Sequence, residues 1–136
     1  MALPIYHPLH ERMVSGAATS VTTGVSGVIR APFKGTIREV GTMIGSVVST
    51  ADATCTVSVA GTAITGGAFV ITQSGSAIGD LDAAAVSGTV ANGVAANATI
   101  TAANTCNEGD LIRFAFTGSG TAGGTVHCYA VVVPTL

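Results

Sequence analysis

Tryptophan is absent, charge is scarce, and no apolar run is long enough to cross a membrane as a helix. Charged side chains make up 9% of the 136 residues, against roughly 25% in an ordinary soluble domain. Ala, Gly, Ser, Thr and Val fill the shortfall rather than large apolar residues. The absence of about 18 consecutive apolar residues excludes a transmembrane helix. The opening residues MALPIYHPLHERM lack a basic stretch followed by an apolar core, which argues against a secretory signal. A surface this poor in charge is hard to keep soluble alone, so much of it is expected to be covered by neighbours in an obligate oligomer or larger assembly.

Five basic residues (Arg12, Arg30, Lys34, Arg38 and Arg113) face seven acidic ones. They form no basic patch of the kind that phosphate neutralisation needs, so direct nucleic-acid binding is not expected. The three cysteines are an odd number at irregular positions and do not read as a disulfide framework. Cys55 and Cys128 lie in strand patterns where a small thiol is core filler, which fits a reducing cytoplasm.

What the chain does have is alternation interrupted by glycine. From Ala53 the sequence reads ATCTVSV, with Cys55, Val57 and Val59 on one side and Thr54, Thr56 and Ser58 on the other. That period of two marks a half-buried strand. Breaks at Ala60-Gly61 and Gly66-Gly67 then predict a tight turn, a short strand, a glycine bend and a further strand carrying Phe69 and Ile71. Asp110–Thr117 alternates as cleanly, with Ile112, Phe114 and Phe116 on one side. Thr125–Val133 reads as a last strand stopped by Pro134, and Asn92-Gly93 is a hairpin signal. Ala98–Ala102 reads as a short strand, 104–109 and 118–124 as loops.

Thr36–Val48 is the ambiguous stretch. Its apolar positions 37, 40, 44 and 47 repeat at helical spacing, but two interior glycines and β-branched content favour a strand. Gly41 and Gly45 there read as a bulge or a close backbone approach. The whole predicts an all-β chain, an antiparallel sandwich or jelly roll of about eight short strands. Residues 1–20, with two of the four prolines and two of the three histidines, are expected to form an extended arm with a helical turn at Pro8–Met13. Residues 21–136 are expected to form the sandwich. The arm either lies on a neighbouring subunit or is a loosely ordered terminus.

No grouping carries catalysis. Gly118–Gly123 matches GxGxxG, but a strand follows it rather than the helix that a dinucleotide turn requires. His7, His10 and Glu11 lack the further rigid ligands of a zinc site. His127 and Cys128 are adjacent on one strand and must point to opposite faces, so they cannot act as a pair. Asp80 and Asp82 lack the further oxygen donors of a calcium loop. Neither a nucleophile elbow nor an acid–base grouping occurs, and no metal or cofactor is implied.

The segments AGTAITGG and ITQSGSAIGDLD within Ala60–Asp82, the run TAANTCNEGDLIR at Thr101–Arg113, and the closing Gly/Thr loop before an apolar strand carry a resemblance. Over Val28–Val133 they resemble small β-sandwich proteins among the structural proteins of tailed bacteriophages, similar to capsid decoration (cement) proteins. The resemblance implies a jelly-roll or similar sandwich, a homotrimer, and a site on the capsid surface of the virion after synthesis in the host cytoplasm. Its partners would be itself and the major capsid protein, whose neighbouring subunits it would tie together. The arm residues Tyr6, His7, His10 and Arg12 are the candidate partner contacts. The alternative is a receptor- or glycan-binding module of a head fibre or tail fibre, which would want exposed aromatics to stack on sugar rings.

Overall fold

A computed structural model describes residues 11–90, 96–118 and 124–135. Ten strands and no helix make up its regular structure among these residues. In order they are β1 (Arg12–Ser20), β2 (Ser26–Arg30), β3 (Gly35–Ser46), β4 (Ala53–Val59), β5 (Thr62–Ile71), β6 (Leu81–Ala85), β7 (Ala98–Thr99), β8 (Thr105–Cys106), β9 (Leu111–Thr117) and β10 (Thr125–Pro134).

The strands form two sheets. One has the order β1-β10-β3-β6-β7 with β8 beside β3, and the other the order β2-β9-β4-β5. All pairings are antiparallel except β6 with β7. Leaving aside the two-residue strands β7 and β8, the first long strand pairs with the last, the second with the last but one, and so inward to the hairpin β4–β5. That nested pairing is the wrapping of a jelly roll. There are ten strands rather than eight because the connection from β6 to β9 adds two short ones.

The core lies between the sheets. Ile37, Val40, Ile44, Val126, Cys128, Ala130 and Val132 line it from one side. Cys55, Val57, Val59, Phe69, Ile71, Ile112, Phe114 and Phe116 line it from the other. The alternations at β4 and β9 are therefore core against surface, as their period of two predicts.

The helical spacing in β3 has a local cause. Val131 pairs with Glu39 and Val132 with Ile37, so Arg38 is an extra residue; Gly45 is another, between Ile44 and Ser46. Each bulge shifts the parity by one, which lets Ile37 and Val40 face the same core. Of the two glycines singled out, Gly45 sits in a bulge, while Gly41 meets a close approach by other atoms.

Three expectations need correction. The sandwich begins at Arg12, not at Val21: β1 pairs with β10 from Arg12↔Val132 to Ser20↔Thr125, so the second half of the expected arm is a sheet strand. Arg12 and Met13 are extended, which removes them from the expected helical turn. The strand was hard to see because Gly16, Ala17, Ala18, Thr19 and Ser20 give no apolar contrast, and a bulge after Ser15 breaks the register. Second, Gly66-Gly67 is no bend between strands but a bulged stretch inside β5, where Ser58 pairs with Ala63 and Thr56 with Ala68. It is pressed against the chain's own segment 99–102, with Thr65 and Ala102 bridged. Third, Thr105–Cys106 is a strand within the expected 104–109 loop. The Asn92-Gly93 hairpin and most of the 118–124 loop lie outside the described residues.

The three cysteines are buried, and none forms a disulfide. Burial pushes the Cys128 thiol up to about 12. It raises the Cys55 thiol further, with Cys128 across the core adding to the shift. Only the thiolate reacts readily. A thiol reagent at pH 8 is therefore expected to leave native Cys55 and Cys128 unlabelled and to modify them on unfolding, read by mass spectrometry. Labelling of Cys55 in the native protein at the rate seen in urea would contradict this burial.

Candidate functional site

The outward face of the larger sheet is where the fold departs most from a solvated surface. Three rungs of side chains cross it from strand to strand. Met13, Val131, Glu39 and Ala85 are in register in the first, and Ser15, Tyr129, Gly41 and Ala83 in the second. His127, Met43 and Leu81 form the third. Residues directly opposite on neighbouring strands share a face, so these side chains project together.

The middle rung explains the shape. Tyr129 is flanked by the smallest residues available, and its ring lies across β3 toward β6. A methyl group on Gly41 would stand 2.6 Å from the Tyr129 hydroxyl oxygen and 2.8 Å from the Ala83 side chain. Glycine at 41 is thus what lets the tyrosine lie down. With Tyr129 as its floor, a groove of about 420 Å³ opens between Met13, Met43, Leu81, Val90 and Val131. Met13 is 67% exposed and Met43 42%, unusual values for large apolar residues standing together on one face.

Two polar groups lie at the bottom of this apolar groove. Glu39 is only 4% exposed and Tyr129 only 6%. Burial, with Glu39 beside it, raises the Tyr129 pKa well above the usual phenol range. The Glu39 carboxylate is near enough to oppose ionisation of the tyrosine. The Tyr129 hydroxyl is buried beside Glu39 and makes no hydrogen bond of ordinary length and angle among the described residues.

The residues singled out from sequence are dispersed. Tyr6, His7 and His10 lie outside the described residues. Arg12 opens β1 and is exposed; its neighbour Met13, not Arg12, enters the groove. Glu11 is paired with Arg38 at 2.7 Å, both about two-fifths exposed, a contact worth less than about 1 kcal/mol. His127 projects into the groove and Cys128 into the core, as their adjacent positions required. No group of three metal-binding side chains occurs among the described residues.

Asp80 and Asp82 have separate duties. The Asp80 carboxylate accepts the Ala77 backbone N–H at 2.8 Å and closes a turn. Asp82 is largely buried and accepts a 2.9 Å hydrogen bond from the Asn97 amide, which also donates to the Val70 carbonyl at 2.7 Å. Burial raises the Asp82 pKa; the Asn97 bond opposes the rise and the Asp80 charge adds to it. A carboxyl whose pKa is higher folded than unfolded costs stability at neutral pH. That cost fades as pH falls through the raised value and is gone below the ordinary 3.8. Asp82→Asn keeps an oxygen for Asn97 and is expected to have the higher urea midpoint at pH 7, with the gap closing toward pH 4. A gap that widens on acidification would reverse the sign.

Sequence reasoning passed over Glu39 and gave Tyr129 no binding role. The available signal was a single carboxylate in the stretch IREVGTMIG, next to the core residue Val40; its parity matches that of Ile37, and only the bulge at Arg38 turns it to the outward face. Comparison with protein-family models, with curated proteins and with solved structures finds no match.

Proposed function

We propose that the protein is a structural virion component, a decoration (cement) protein that binds the outside of a tailed-phage capsid and ties neighbouring major capsid subunits together. The observation that carries this reading is the apolar outward face of the β1-β10-β3-β6 sheet on a jelly roll whose sequence has few charges. A cement protein acts through binding energy spread over contact surfaces rather than through a reaction. Faces of Ala, Gly, Ser and Thr suit that task because they lose little side-chain entropy on being covered. Assembly as a homotrimer would multiply weak contacts through effective concentration. No enzymatic role is proposed.

The receptor- or glycan-binding reading draws less support. Tyr129, the aromatic residue on the outward face, lies flat over Gly41 and is almost covered, so it offers no ring face to a sugar.

The test mixes purified protein with capsids that lack it. Co-sedimentation at a fixed stoichiometry, with raised resistance of the shell to heat, is the expected result. Binding to host cells but not to capsids would replace this reading with the fibre one. The part played by Tyr6, His7 and His10 is tested by removing residues 1–10. A deletion to residue 20 would take β1 with it and unfold the sheet edge. Loss of capsid binding with the fold intact supports the arm as a contact; unchanged binding removes it.

A further inference from the structure

We propose that the groove over Tyr129 is covered in the free protein by the chain's own residues 1–10, MALPIYHPLH, which fold back over the outward sheet face as a strap. The inference concerns the free protein and does not rest on a capsid being its partner.

The first observation is where the described chain begins. The Glu11 carboxylate meets the Arg38 guanidinium at 2.7 Å, and β10 lies between β1 and β3. Beneath β10 at this level is the closed core, where Val132 has no exposed surface. A pair with both side chains about two-fifths exposed therefore crosses β10 on the outward side. The pair adds little energy, but it brings the chain into β1 on the side that holds the groove, two residues before the Met13 wall.

The second is fit. Residues 1–10 contain no carboxylate, lysine or arginine, and Leu3, Ile5 and Leu9 are large and apolar. Met13 and Met43 stand exposed along the groove, whereas Glu39 and Tyr129 at its bottom are already nearly covered. An apolar occupant thus removes apolar surface from water and strips almost no further hydration from the polar groups below. Pro4 and Pro8 have no backbone N–H to leave unsatisfied, and they reduce the freedom lost on docking.

The third is reach. The groove runs along β10 from Val131 to His127, about 13 Å at roughly 3.3 Å per residue. A reversal takes about four residues. The remaining residues of the ten, extended, span up to about 20 Å, enough to follow the groove to its far end. A segment tethered this close has an effective concentration in the millimolar range, which favours the chain's own strap over that of a second copy. Any partner that uses this face, a shell subunit included, must displace it.

The test reads methionine oxidation by dilute hydrogen peroxide in the full-length protein, site by site, by mass spectrometry. Leu3→Asp with Ile5→Asp puts two charges into the strap and alters no described strand. The double variant is expected to oxidise at Met43 at least fivefold faster than the parent, with the amide signals of β3 and β10 unchanged. Equal rates, whether both fast or both slow, would overturn the proposal, because the groove would then be open or covered by something else. Which copy supplies the strap is read by NMR with a nitroxide on Ala2→Cys, the native cysteines being buried. Strong relaxation of the Met43 and Leu81 methyl signals is expected when nitroxide and isotope are in one chain. Much weaker relaxation is expected when isotope-labelled and nitroxide-labelled chains are mixed and refolded together. An effect as large in the mixed sample would assign the groove to a second copy's segment and overturn the proposal as well.

Discussion

Phe114→Ala is expected to lower the free energy of unfolding by about 3–5 kcal/mol, the range for removing a fully buried aromatic side chain. Phe114 has no exposed surface, and β9 lies between β2 and β4 in its sheet, with Phe114 paired to Gly27 on one side and Val57 on the other. Gly27 has no side chain to move into the vacated volume. A methyl there would already meet the Cys128 sulfur at 2.9 Å, so this wall of the core is closed. The lost contacts are therefore not recovered by relaxation, and the cost falls toward the upper part of the range. A domain of this size has about 5–15 kcal/mol to lose. Urea denaturation of the variant beside Leu111→Ala, on the same strand with its side chain half exposed, separates burial from strand identity. The second change is expected to cost well under 1 kcal/mol. Similar midpoints for the two variants would mean that Phe114 is not in the core.

Gly66→Ala should be comparably damaging for a different reason. The residue holds φ +77°, a left-handed conformation that costs a side-chain-bearing residue about 1–3 kcal/mol. An added methyl would also stand 2.0 Å from the backbone carbonyl oxygen of Thr99. That atom belongs to the segment that bridges Thr65 to Ala102, with Thr101 N–H donating to the Thr65 carbonyl at 3.0 Å. Moving it aside breaks backbone hydrogen bonds, and overpacking of this kind adds about 1–3 kcal/mol more. The measurable result is a fall of about 2–6 kcal/mol in unfolding free energy. Faster amide exchange confined to 99–102 and β5 should accompany it. A variant as stable as the parent would show that β5 does not run under Thr99. The contrast is Gly61, also at positive φ in the β4–β5 turn but with open space around it, where the same substitution meets only backbone strain.

These two sites also mark what could be read in the sequence. The Phe114 environment was legible because Ile112, Phe114 and Phe116 stand out against Arg113 and Thr117, and a period of two has one physical reading. The Ala60-Gly61 turn was legible because the alternation stops there at a glycine, the residue that accepts positive φ at no cost, and Gly61 does adopt it. The Gly66-Gly67 pair carried the same mark and was misread, because a glycine signals an unusual backbone without saying whether it is a turn or a near approach by another segment. β1 was invisible for the opposite reason: a strand of small residues buries so little that its pairing partner, not its own pattern, decides its conformation. The groove needed both insights together. Tyr129, Gly41 and Ser15 are far apart in sequence, and only the register that nested pairing imposes sets them side by side.

That nesting has a kinetic consequence. β4 and β5 can find each other across a two-residue turn, but β1 and β10 must close a loop spanning nearly the whole chain, from Arg12 to Val132. Long-range closure of this kind is slow, and sheet proteins dominated by it fold in milliseconds to seconds. The central hairpin is thus positioned to form early and the terminal strands to zip on last. Until β10 and β1 have seated, the groove that Tyr129 floors has neither its floor nor its Met13 wall, so the newly made chain acquires its apolar outward face only at the end of folding.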